Sequence, residues 1–291
     1  MGLHERGRTE PTVSLSELLA GRGQKVEGHT GFSLRDYADA IVDSGFPGIM
    51  NSVPRLRRSM LDAYLQRIID RDLPEQGYSV RRPETLRRWL SAYAAASSTT
   101  TSYSRLLAAT TGGDGGQPAK ETTIAYRDHL SQLWLLDPVP GWIPANNPIR
   151  RLQQAPKHQL ADPALAARLL DLSAGALLGQ AGAHMAGPLF ESLVSLGVRV
   201  AAQAAEAKVF HLRTSGGDRE IDLIVQGPEG QLLGIEVKLA PEITDSSVRH
   251  LRWLREQLPS RVADLMVVTT GPTAYRRPDG IAVIPLALLG A

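Results

Sequence analysis

REIDLIVQGPEGQLLGIEVK, residues 219–238, holds two apolar runs, Ile221–Val225 and Leu232–Val237, joined by Gly227-Pro228-Glu229-Gly230. β-branched residues, short run length and turn residues between the runs predict a hairpin. Three charges sit inside the runs: Asp222, Glu236 and Lys238. Strand side chains alternate with period two, so Glu236 and Lys238 face the same way. A hairpin closed at Gly227–Gly230 brings Asp222 near that pair. Two carboxylates and an ammonium on one buried face are costly unless they pair or bind a metal. The residues themselves leave both readings open, a metal site and a plain salt-bridge network.

An Asp on one strand followed by Glu-x-Lys on the next resembles the motif of the PD-(D/E)XK nuclease fold. The resemblance implies that Asp222 and Glu236 hold a hard divalent ion and that Lys238 activates or positions the attacking water. Oxygen ligands suit Mg²⁺, which keeps several waters and needs only one or two protein carboxylates. A family helix before the sheet often adds another acid, and Glu191 in GPLFESLVSLG stands in that slot. The expected order also fits: helix 188–196, strands 208–213, 220–226 and 232–238, helix 246–258, strand 262–269. RecB-type nucleases carry a Gln-Tyr motif on the helix after the hairpin. Here VRHLRWLREQL stands in its place, so the resemblance does not extend to that subgroup.

A length of 291 residues allows two domains with real cores. With 43% hydrophobic and 21% charged residues, the composition is that of an ordinary globular protein. The net charge of +2 excludes a polycation, so any nucleic-acid surface must come from uneven distribution, and several arginines do cluster between Arg55 and Arg88. The absence of cysteine excludes disulfides and thiolate metal sites and fits a reducing compartment. The opening residues MGLHERGRTE are too polar for a signal peptide, and the reading is that no apolar run approaches the ~20 residues a membrane helix needs. The expectation is a soluble, cytoplasmic protein with no membrane partner. The seven histidines are scattered, with neither metal-like spacing nor a triad with Ser and Asp.

Most of the first half reads as helices. Ser14 with Glu17 forms a capping box for a short helix. Ser33 caps a helix that stops at Gly45, and a second helix runs from Pro54 to Asp72 with an arginine face of Arg55, Arg57, Arg58, Arg67 and Arg71. Such a face reads as solvated or as phosphate-binding. Arg81–Ser98, SYSRLLAATTG and ETTIAYRDHLSQLWLLD then give three helices with a short middle one, the outline of a helix-turn-helix. In that reading the third helix keeps Ile124, Leu130, Leu133 and Trp134 inside and exposes Thr123, Tyr126, Arg127 and Gln132 to nucleic acid. The same outline also serves as plain scaffolding, and the glycine-rich loop before Lys120 lengthens the usual tight turn. A proline-rich stretch over 137–163 suggests a β-wing or linker, Leu165–Leu178 one more helix, and Gly179–Gly187 a hinge.

Taken end to end, the chain resembles the C-terminal portion of a prokaryotic AAA-type ATPase family, in which an ATPase core precedes a winged-helix-like unit and a PD-(D/E)XK-like domain of unknown function. SLRDYADAIVDSGFPG, KETTIAYRDHLSQLWLL, PKHQLADPALAARLL, GPLFESLV and REIDLIV…GIEVK carry the resemblance. It implies an α+β fold class with three segments. Residues 1–30 are the remnant of a preceding ATPase core, 31–180 a helical winged-helix-like domain, and 186–291 a mixed-sheet α/β domain of PD-(D/E)XK nuclease-like type. No G-x-x-x-x-G-K-[ST] loop exists, so no ATP site is expected in this chain. An ATPase partner, or an ATPase domain ahead of this region, would have to supply that activity. Two functions follow as expectations: Mg²⁺-dependent phosphodiester cleavage at Asp222, Glu236 and Lys238 with Glu191 assisting, or a non-catalytic nucleic-acid or partner-binding module on the same fold.

Overall fold

The computed structural model describes residues 1–110, 120–143 and 155–291. The glycine-rich loop before Lys120 and the Pro144–Gln154 part of the expected wing or linker lie outside the described residues.

Strand β1 (Val13–Ser14), helix α1 (Leu15–Leu19) and strand β2 (Gly28–His29) open the chain. The helices that follow are α2 (Leu34–Val42), α3 (Pro47–Met50), α4 (Pro54–Arg67), α5 (Leu73–Glu75), α6 (Pro83–Ala95), α7 (Tyr103–Ala109) and α8 (Lys120–Gln132). Next are α9 (Pro163–Leu169), α10 (Ala174–Leu178) and α11 (Ala183–Ala204). Strands β3 (Lys208–Arg213), β4 (Glu220–Gln226) and β5 (Leu232–Lys238) lead to α12 (Arg249–Gln257) and β6 (Val262–Thr269). Strands β7 (Thr273–Arg276), β8 (Ala282–Pro285) and β9 (Leu289–Gly290) close it. The architecture is therefore α+β, helical first and a mixed sheet after. The four strands read from the sequence coincide with β3, β4, β5 and β6.

The chain divides into two compact units, one of Met1–Tyr37, Val139–Pro156 and Leu193–Ala291, the other of Ala38–Pro138 and Lys157–Ser192. This differs from the three segments drawn from the sequence. The first residues gather with the C-terminal sheet because β1 pairs in parallel with β9 and β2 pairs antiparallel with β7. Val139–Trp142 joins the same unit, with Gly141 bridging to His211 on β3. The division falls inside α2 and inside α11.

In the sheet unit the seven strands lie in the order β2-β7-β8-β6-β5-β4-β3. Strands β3, β4 and β5 form an antiparallel meander, whereas β5–β6 and β6–β8 are parallel. A parallel neighbour needs a crossover, and α12, preceded by a 3-10 turn at Asp245–Val248, provides it between β5 and β6. Leu251 and Leu254 of α12 are fully buried with Ile224, Leu232, Leu265 and Val267. Gly234 on β5 allows this close approach: a Cβ there would sit 2.9 Å from Leu265 Cδ2 and 3.0 Å from Leu254 Cδ2. The 227–230 turn closes as read, with Gly230 at φ 83°, a backbone conformation that glycine tolerates without strain.

In the helical unit, caps explain where the helices start and stop. Ser102 caps α7 by accepting from Arg105 N, and Asp162 caps α9 by accepting from Ala164 N at 2.8 Å. Asp162 is 2% exposed and also takes Gly45 N at 2.6 Å, which ties the end of α2 to the start of α9. The single helix expected over Leu165–Leu178 is two. Asp171 adopts φ 55°, breaking the run, and Ser173 restarts it by capping α10. Pro54–Asp72 is likewise interrupted, by a π-helical turn at Ile68–Asp72.

The three-helix outline is present as α6, α7 and α8, but α8 is turned from its expected orientation. Thr123, Tyr126 and Leu130 are buried, while Ile124 is 41% and Trp134 76% exposed. An aromatic cluster decides this: the Tyr126 ring lies 5.9 Å from Trp89 and 6.1 Å from Tyr78. Aromatic side chains bury large areas, so they outweigh a lone isoleucine. The helix expected at 188–196 extends over the 22 residues of α11, which, contrary to the expectation from the sequence, meet the length and composition of a membrane span. Of its most apolar window, 56% is buried, the pattern of a core helix.

Candidate functional site: an acid–lysine cluster at the end of a buried strand

Strand β5 is buried from Leu232 through Val237 and opens only at Lys238. The register Leu223↔Ile235 makes Asp222 and Glu236 the next cross-strand neighbours, on one face. Lys238 Nζ donates to Glu236 Oε2 at 2.7 Å and lies 4.0 Å from Asp222 Oδ2. Asp222 Oδ2 also accepts from the Val237 backbone N–H at 2.9 Å, which fixes that carboxylate against β5. Glu236 is 5% exposed as a residue, and the Lys238 side chain 35%. The three residues read from the hairpin therefore converge, with the acids toward the core and the ammonium toward solvent.

The donor set is hard: carboxylate oxygens on rigid strands, as Mg²⁺ or another oxygen-seeking cation requires. Among the described residues no group of three His, Cys, Asp or Glu gathers to hold a metal. Two carboxylates suffice for Mg²⁺, which retains waters in its remaining positions, so Asp222 and Glu236 fit that ion.

Glu191 lies on α11. Its Oε1 accepts from Lys157 Nζ at 2.9 Å inside the helical unit, where the Lys157 side chain is 1% exposed. The neighbouring residues are buried too. His158 Nε2 reaches Thr101 O at 2.6 Å, and its ring stands edge-on to Tyr93 and Tyr103. Burial holds the His158 pKa below the ordinary histidine value.

The proposed reading face of α8 is corrected. Thr123 is 5% and Tyr126 3% exposed, and burial pushes the Tyr126 hydroxyl up to about 12. Arg127 remains half-exposed, paired with Asp128 at 2.8 Å and with its guanidinium 5.4 Å from the Tyr103 ring centre. Thr123 and Tyr126 are core, so they leave no groove-reading edge.

The sequence reading missed His250. On the first turn of α12, its Nδ1–H donates to the Glu220 carbonyl at 2.7 Å, and its Nε2 accepts from Arg249 Nε at 2.9 Å. Its pKa is lowered, chiefly by burial, with Arg249, Arg219 and Lys238 acting in the same direction. Glu220 lies two residues before Asp222 on β4, so His250 stands beside the cluster. No spacing rule reveals it, because the contact is made by α12 docking on β4.

Two family models match this chain. One, a domain of unknown function (DUF4143), covers residues 186–289 and so includes the whole cluster. The other, a domain of unknown function (DUF8612), covers residues 34–176. No curated protein matches the chain.

Proposed function

We propose that the sheet unit is a PD-(D/E)XK-type domain that hydrolyses phosphodiester bonds with Mg²⁺ held by Asp222 and Glu236. The observation that carries this reading is the convergence of Asp222, Glu236 and Lys238 on one sheet face, where β5 leaves the core. When bound, the ion polarises the phosphate and acidifies a water. The chain's own residues do the rest. Val237 N–H and the sheet hold Asp222 in place, and burial fixes Glu236. Lys238, on a stem that reaches solvent, brings a positive charge to where negative charge develops in the transition state. The domain works as the C-terminal portion of an AAA-type ATPase-family protein, because DUF4143 domains commonly follow AAA ATPase domains. The ATPase is supplied from outside these residues, since they carry no phosphate-binding loop. Nucleic acid is the substrate.

One observation favours a second reading. Lys238 already closes on Glu236 at 2.7 Å, as it would in a salt-bridge network that only stiffens a binding module. A Mg²⁺ titration followed by melting temperature separates the two, since a ligand of the native state raises that temperature. The enzyme reading expects a Mg²⁺-dependent rise in the wild type that is lost in Asp222→Ala and Glu236→Ala. No rise, or an equal rise in all three proteins, leaves the binding module as the reading that stands.

A further inference from the structure

Most arginines of the sheet unit are already engaged. Arg252 pairs with Asp245 and Asp279, Arg276 with Asp264, Arg277 with Asp245 and Asp279, and Arg213 with Glu220. Arg261 donates to the Gly230 carbonyl and Arg255 to the Asp279 carbonyl. Arg219 and Arg249 differ. Among the described residues neither forms an ion pair, although both flank the acid–lysine cluster. Among the described residues the Arg249 guanidinium donates to Nε2 of His250, at 2.9 Å. That of Arg219 lies 5.9 Å from the Trp253 ring centre, a contact that orients it without neutralising it. Asp218, beside Arg219 in the exposed loop, forms no ion pair among the described residues either, and Glu220 is turned to Arg213.

Arg249 Nε lies 2.9 Å from the half-buried His250 ring, and that ring is pinned at 2.7 Å to the carbonyl of Glu220, which follows Arg219 and stands two residues before Asp222. Like charges brought to adjoining elements repel one another, and an anion seated among them relieves the repulsion. Guanidinium groups match phosphate oxygens in geometry, because two N–H donors lie side by side.

We propose that Arg219 and Arg249, gathered at His250 beside Lys238, form a subsite for a backbone phosphate of a polynucleotide strand, next to the acid cluster. This rests on the nucleic-acid reading of the site above and deepens it. The subsite holds a phosphate that is not cleaved and so sets the strand's path past Asp222 and Glu236. Phosphate contacts of this kind fix register and carry no base preference.

The test is binding of a fluorescently labelled oligonucleotide, single- or double-stranded, by the full chain in the presence of a chelator, read by anisotropy over a series of salt concentrations. Chelation removes divalent ions, so a failure of metal-dependent cleavage leaves this measurement untouched, and a failure here leaves the cleavage test standing. Arg219→Gln/Arg249→Gln is compared with wild type and with Arg22→Gln/Lys25→Gln, which removes the same charge from the exposed stretch before β2. The expected result is an affinity loss of roughly tenfold or more for the first double variant, with the salt slope shallower by about two. The second double variant keeps wild-type affinity, and all three proteins melt together. The proposal is overturned if the wild type binds no strand, if both double variants lose affinity equally, or if Arg219→Gln/Arg249→Gln binds as well as the wild type. A wild type that takes up inorganic phosphate and no oligonucleotide overturns it as well.

Discussion

Two of the lysine–glutamate pairs among the described residues have nearly equal length and opposite setting. Lys157 meets Glu191 at 2.9 Å with the side chains 1% and 15% exposed. Lys238 meets Glu236 at 2.7 Å with the side chains 35% and 7% exposed. Distance alone does not separate them; access does. The first ammonium is closed off from solvent. The second sits at a strand end with one side open, next to a second carboxylate. A closed pair holds a fold together, and an open one can trade its partner for a ligand.

Removing one partner of the closed pair is the largest effect expected. Glu191→Ala takes a carboxylate away from a buried ammonium, at a cost of about 3–5 kcal/mol by chemical denaturation. A loss under ~1 kcal/mol would show that the pair is not sealed. Next comes the packing that places the open cluster. Gly234→Val pushes a side chain into Leu254 and Leu265, and about 1–3 kcal/mol of stability should go with it. An unaltered denaturation midpoint would mean that α12 is not seated on β5 as described.

A smaller effect follows from His158. Burial keeps its folded pKa below the ordinary value of 6.5, so the unfolded chain takes up the proton first as pH falls. Stability is therefore complete above 6.5 and declines as pH drops through that value toward the folded pKa. His250 adds a decline of the same sign. Melting curves between about pH 7.5 and 5 should show the loss, and His158→Gln should flatten it. Equal slopes in the two proteins would contradict the buried setting. Lys238→Met removes an ammonium that is partly solvated, so it lowers stability by less than Glu191→Ala does. A loss comparable to that of Glu191→Ala would erase the distinction between the pairs.

How much of this was legible in the sequence depends on the range of the interaction. The strand limits 208–213, 220–226, 232–238 and 262–269 came from local alternation and turn residues, and the structure reproduces them. Period two with a short turn was enough to gather Asp222, Glu236 and Lys238. The partner of Glu191 was not legible, because Lys157 lies far away in the chain and no periodicity links them. Helix α8 was misjudged because its two sides are similarly apolar. Only the tertiary cluster of Trp89 and Tyr78 chose Tyr126 over Ile124. His250 and the pairing of β1 and β2 with the last strands are also products of docking, which a local pattern does not encode.

The central claim is that the open cluster is chemically competent. Its most direct test is Mg²⁺-dependent cleavage of a labelled panel of single- and double-stranded DNA and RNA, comparing wild type with Lys238→Met. The account predicts cleavage of at least one substrate by the wild type, abolished by chelation, and a fall of orders of magnitude in Lys238→Met with Mg²⁺ binding largely kept. No cleavage of any substrate by the wild type, or equal rates in the two proteins, would contradict it.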